Sequence, residues 1–127
     1  MKSWLCFLTL LSFFSPDGFA VGGASSHLIL YKIVTNEQWA SSRGKEKLEL
    51  SGADAEFIHF SLEDQWEKIA AKYFADTSSF VLLKIDASQL PGRLVFETNP
   101  GGSTKYYHLY EGCIPMSAIC SSQIISH

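Results

Sequence analysis

The chain has 127 residues, 10 Lys and Arg against 13 Asp and Glu, with 46% hydrophobic and 18% charged residues. That length holds one domain and no second, and the composition is globular rather than disordered. A net charge of −3 argues against phosphate-backbone affinity, so nucleic acid is not an expected partner.

Residues 1–20 read as a secretory signal peptide. Lys2 gives a short positive region, Trp4 to Phe14 is an apolar run, and Pro16, Asp17 and Gly18 break it. Gly18 and Ala20 then supply small residues at the −3 and −1 positions of a cleavage site. A second candidate site follows Ala24, with Gly22 at −3. The apolar run is too short to span a bilayer, which takes about 20 helical residues. The expectation is an exported domain, periplasmic or secreted, with no stable membrane anchor once the leader is cut. Cys6 lies inside the apolar run, which speaks against a lipoprotein attachment. The mature chain keeps Cys113 and Cys120. Either a strand doubled back at Pro115 pairs them in a disulfide, or both stay reduced. Neither has a CxxC partner, so no zinc site is expected.

The domain is expected over residues 27–125, after a small-residue leader, VGGASS, at 21–26. His27 to Val34 reads as a buried strand. Thr35 caps a short helix, with Gln38 completing a capping box and Trp39 turned inward, and Gly44 ends it. Residues 45–55 form a charged connection in which only Leu48 and Leu50 are large and apolar. Glu56 to Phe60 is a second strand. Ser61 is placed as the N-cap of an amphipathic helix running to about Ala75, with Leu62, Trp66, Ile69, Ala70, Tyr73 and Phe74 at helical spacing. Trp66 and Phe74 are assigned to the core. Phe80 to Ile85 is apolar enough for a central strand covered on both faces. Leu94 to Thr98, Tyr106 to Tyr110 and Met116 to Ile125 complete the strands, with a turn at Pro91-Gly92 and a loop at 99–103. Helices early and strands late make the class α+β.

Three titratable groups interrupt the apolar strand patterns: His59, Glu97 and His108. Lys32, Ser61 and Tyr110 accompany them. A carboxylate flanked by Val95 and Phe96 is costly to bury without a partner. Strand alternation puts His59 with Ser61 on one face, and Tyr106, His108 and Tyr110 on another. If those faces meet they form a pocket with two imidazoles, a hydroxyl, a carboxylate and aromatic walls. Singly, each residue is better explained as structure, Ser61 as a cap and the tyrosines as sheet formers, and it is their combination that points to a site. A metal bound by His59, His108 and Glu97 is disfavoured, since no HxH or HxxxH spacing supports it.

Leu30-Tyr-Lys-Ile33 with Trp39, Phe57-Ile-His-Phe-Ser61, Gln65, Tyr73-Phe74, Leu82-Leu83-Lys-Ile-Asp86, Glu97 and His108-Leu-Tyr110 together resemble the DUF952 family. The likeness runs from about Leu30 to Ile119. Two departures stand out: Glu56 where the family usually has Gly, and Tyr106-Tyr107 where it usually has Phe-Pro. The resemblance implies a fold similar to the ADP-ribosyltransferases, a split mixed sheet with one main amphipathic helix, one short helix and a cleft that holds NAD in active members. Active members also carry Arg or His early on the first core strand, where this chain has Lys32. Two functions follow as expectations. One is a polar cleft that binds a small anionic or nucleotide-like molecule, using Ser61, Tyr110 and Lys32. The other is NAD consumption, as a transferase or glycohydrolase, with Glu97 stabilising an oxocarbenium-like centre and His59 and His108 assisting.

Overall fold

The computed structural model describes residues 27–127. The expected signal peptide and both candidate cleavage sites lie outside the described residues. The α+β architecture is present: among the described residues there are two α-helices and two three-stranded sheets, in which every strand pairing is antiparallel.

One sheet has the order β1-β3-β6, from β1 (Ile29–Val34), β3 (Ser79–Asp86) and β6 (Ile119–Ser126). The run Phe80-Val-Leu-Leu83 with Ile85 takes the centre, where both faces are covered, and all five residues are buried. The other sheet has the order β2-β5-β4, from β2 (Ile58–His59), β5 (Lys105–Tyr110) and β4 (Arg93–Thr98). The sheets join where Tyr31 and Ser61 exchange backbone hydrogen bonds of 2.7 and 2.9 Å. Leu30, Val34, Ile58, Phe60, Leu83, Ile85, Leu109 and Ile114 fill the space between them.

Helix α1 (Asn36–Ser42) starts at the predicted capping box: Thr35 accepts from Gln38 N–H, and Gln38 Oε1 accepts from Thr35 N–H. Trp39 is half-buried against the core. Helix α2 (Trp66–Tyr73) corrects the expectation at Ser61. Ser61 is not an N-cap, because its N–H and C=O are spent on Tyr31 and hold it extended. A turn follows, in which Gln65 Oε1 accepts from Leu62 N–H, and the helix begins only after it. Phe74 packs on Phe80, as expected, and so does Trp66. The Cys113–Cys120 disulfide does not form: Cys120 is an exposed free thiol, while Cys113 is buried.

Gly92 shapes the turn into β4. Its φ is +111°, and a Cβ there would lie 2.6 Å from the Tyr110 carbonyl oxygen, a backbone atom that cannot swing aside. Gly92→Ala is expected to cost about 1–3 kcal/mol, read as a lower urea midpoint. An unchanged midpoint would mean that the turn relaxes freely.

Candidate functional site

The β2-β5-β4 sheet gathers His59, Glu97, His108 and Tyr110 on one face. Its register sets His59 opposite His108, Val95 opposite His108, Glu97 opposite Tyr106, and Arg93 opposite Tyr110. Residues opposite one another project to the same side. Phe60 N–H donates to Tyr107 O at 3.0 Å, which makes the neighbouring His59–His108 pair a non-hydrogen-bonded one, where side chains approach most closely.

Glu97 collects two of these groups. Its Oε2 lies 2.7 Å from His108 Nδ1 and accepts a short hydrogen bond from the Tyr110 hydroxyl. Those bonds, Tyr110's first, hold the Glu97 carboxyl below its ordinary range, and the same carboxylate pushes the Tyr110 phenol up. Arg93 stands 4.8 Å over the Tyr110 ring. Phe57 stacks on His108 at 4.2 Å and tilts against His59 at 4.7 Å and Tyr110 at 5.1 Å.

A second constellation lies where β1 meets β2. Lys32 Nζ donates to Asp54 Oδ1 at 3.0 Å and to the His59 carbonyl at 2.8 Å. The same Asp54 Oδ1 accepts from the His59 backbone N–H at 3.0 Å and lies 3.1 Å from His59 Nδ1. Both members of the Lys32–Asp54 pair are almost out of solvent. Burial alone would raise the Asp54 pKa. The bonds from His59 and the charge of Lys32 outweigh it and lower the pKa to about 2. Burial pulls the Lys32 amine down, with Asp54 working against it. With Nδ1–H directed at Asp54, His59 keeps Nε2 for any further partner, on a side chain 40% exposed.

A cavity of about 520 Å³ opens beside this second constellation. Lys32, Asp54, His59 and Ser61 form a polar side, and Tyr73, Phe74, Pro100 and Tyr106 bring flat apolar surface. Asn99 also lines it, with a buried Oδ1 that has no hydrogen-bond partner. Lys32, His59 and Ser61 therefore face the cavity, whereas Glu97, His108 and Tyr110 are not among its lining residues. Phe74 serves both the core and the cavity wall. Sequence reading missed Asp54 and Asn99. A signal for Asp54 did exist, because a lysine inside an apolar strand needs a carboxylate partner. Among the described residues, no three or more His, Cys, Asp or Glu cluster to hold a metal ion. No helix among them is long and apolar enough to cross a membrane.

A family model described as a protein of unknown function, DUF952, matches residues 33–122. The chain belongs to the DUF952 family. The crystal structure of protein CC0527 from Caulobacter crescentus is similar at 30% identity and a TM-score of 0.66, covering 76% of this chain and 84% of that one. The solution NMR structure of CC0527 is equally similar, at 30% identity and a TM-score of 0.66, covering 77% and 84%. No curated protein matches this DUF952 chain.

A carboxylate whose folded pKa is depressed stabilises the protein above its unfolded value and loses that contribution as pH falls through the folded value. For Asp54 the window runs from the ordinary 3.8 down to about 2, and the contribution is about 2 kcal/mol. Asp54→Asn is expected to lower stability at neutral pH by roughly 2–4 kcal/mol, since it strands the Lys32 cation. It should also flatten the acid limb of stability against pH. Urea titrations across that range would show both effects, and an unaltered acid limb would remove Asp54 from the account.

Proposed function

We propose that this DUF952 domain is a binding module whose cleft takes a small nucleotide-like molecule. The observation that carries the reading is the cavity, about 520 Å³ and lined by both polar and aromatic side chains. That size lies within the range of small-molecule sites, which join apolar walls to a few fixed polar groups. A heterocyclic base would lie against Tyr106 and Pro100, where stacking contributes about 1–3 kcal/mol. The Asn99 Oδ1 acceptor and the His59 Nε2 atom would meet donors on the base or the sugar. Because Asp54 already neutralises Lys32, the cleft is suited to the nucleoside part more than to a highly charged phosphate chain. Export to the periplasm or outside the cell, through the leader at 1–20, belongs to the same proposal.

Consumption of NAD through Glu97 has less support. Glu97 is outside the cavity lining, and its Oε2 is engaged by His108 and Tyr110. A carboxylate meant for a developing cation has to face the reacting ribose.

The full chain titrated with adenosine, AMP and NAD by calorimetry is expected to bind at least one of them. Tyr106→Ala and Asn99→Ala should each weaken that binding about tenfold, a loss of roughly 1.4 kcal/mol. Free nicotinamide assayed in the same samples tests the reaction. Release that Glu97→Gln abolishes would favour the enzyme reading, and no binding of any of the three would remove the nucleotide one.

A further inference from the structure

Asp54 and His59 make a carboxylate–imidazole pair on the wall of the cleft. Asp54 Oδ1 lies 3.1 Å from His59 Nδ1 and accepts the His59 backbone N–H at 3.0 Å. Asp54 is almost out of solvent, whereas the His59 side chain is 40% exposed and both residues line the cavity. A carboxylate behind an imidazole selects the tautomer with Nδ1–H and leaves the lone pair on Nε2. It also stabilises the imidazolium that forms when Nε2 takes up a proton. With a pKa of about 2, Asp54 stays ionised wherever an imidazole titrates. The fold does not need the imidazole as a link, since Lys32–Asp54 and Tyr31–Ser61 already join the two sheets.

The surroundings choose the bond on which such a base acts. Lys32 and Asp54 neutralise each other, so this part of the lining has no surplus cation for the charge of a phosphate ester. A carboxylic ester is neutral, and needs only donors for the oxygen that becomes negative during attack. Lys32 Nζ gives one N–H to Asp54 and one to the His59 carbonyl, which leaves the third. Ser61 shares a strand face with His59, and its hydroxyl is a second donor on a cavity-lining residue. Phe57 tilts against the His59 ring at 4.7 Å and brings apolar surface to the base.

We propose that His59, positioned by Asp54, is the general base of a carboxylic-ester hydrolase. Resting on the nucleoside reading of the cleft, the ester is an acyl group carried on the ribose of a nucleoside. Water attacks the acyl carbon, its proton passes to His59 Nε2, and the carbonyl π pair moves onto oxygen. As the tetrahedral centre collapses, the bond from acyl carbon to ribose oxygen breaks, and the imidazolium returns the proton to that oxygen. Ester and water become carboxylic acid and nucleoside, and the balance closes without oxidant or reductant.

The test is acetate release from adenosine acetylated on its ribose, catalysed by the full chain, with adenosine binding followed by calorimetry in parallel. Saturable release above the buffer rate is expected. His59→Gln, at a half-exposed position, should lower kcat/KM about a hundredfold or more. Asp54→Asn should lower kcat with little change in KM, which a merely structural role would not produce. His27→Ala alters an exposed imidazole outside the cavity and should hydrolyse as the wild type does. Should His59→Gln fail to fold, acylation of His59 by diethyl pyrocarbonate, mapped by mass spectrometry, should abolish release by the wild type. Adenosine binding without ester cleavage, or cleavage at the wild-type rate in His59→Gln, would overturn the proposal and leave the binding module standing. Failure of adenosine to bind would overturn the nucleoside reading and the ribose ester with it.

Discussion

Asp54 Oδ1 accepts from the Lys32 ammonium, the His59 backbone and, through Nδ1, the His59 ring. Lys32 belongs to β1 and His59 to β2, so this single oxygen ties one sheet to the other beside the Tyr31–Ser61 bridge. The bond from Lys32 to the His59 carbonyl closes the same loop from the other side. A buried ion pair of this kind gains little net energy against an apolar replacement, since desolvation consumes most of the Coulomb attraction. Its effect lies in uniqueness of arrangement. Any slip between β1 and β2 would strand a lysine and an aspartate away from water. Cavity and histidine geometry both follow from that constraint.

The strands could be read from the sequence where hydrophobic pattern decides them. Phe80 to Ile85 is apolar at every position but Lys84, and it occupies the centre of its sheet with those apolar residues buried. Thr35 and Gln38 carried α1 just as plainly, since a capping box is a local interaction. Ser61 misled for the opposite reason. Its neighbours have helical spacing, but its own backbone bonds go to Tyr31, which is thirty positions earlier (61 minus 31) and invisible to a local pattern. Asp54 sits in a single 3₁₀ turn, Gly52–Asp54, with no periodicity to mark it, and only the lysine inside the apolar β1 run called for such a carboxylate. Strand alternation could say that His59 and Ser61 share a face. It could not give the register that sets His59 opposite His108.

Membership of DUF952 and the likeness to CC0527 account for the fold and leave function to the side chains. Those side chains divide into two groups that the sequence had merged into one pocket. Lys32, Asp54, His59 and Ser61 face the cavity, while Glu97, His108 and Tyr110 form a hydrogen-bonded patch next to it. The division follows from the sheet. The cavity opens on the side of β2 that adjoins β1, whereas Glu97 stands on β4, the opposite edge of the β2-β5-β4 sheet. Tyr106, opposite Glu97 in the ladder, reaches the cavity, so the two groups are adjacent without being one.

His59 is the residue at which they meet. One side of its ring is bound to Asp54, and the ring both lines the cleft and stands 5.3 Å from the His108 ring. With Nδ1–H given to Asp54, the ring has only its Nε2 atom to offer a molecule in the cleft. The chemical preference of this cleft is thus decided at one imidazole, and Asp54 fixes which way that imidazole faces.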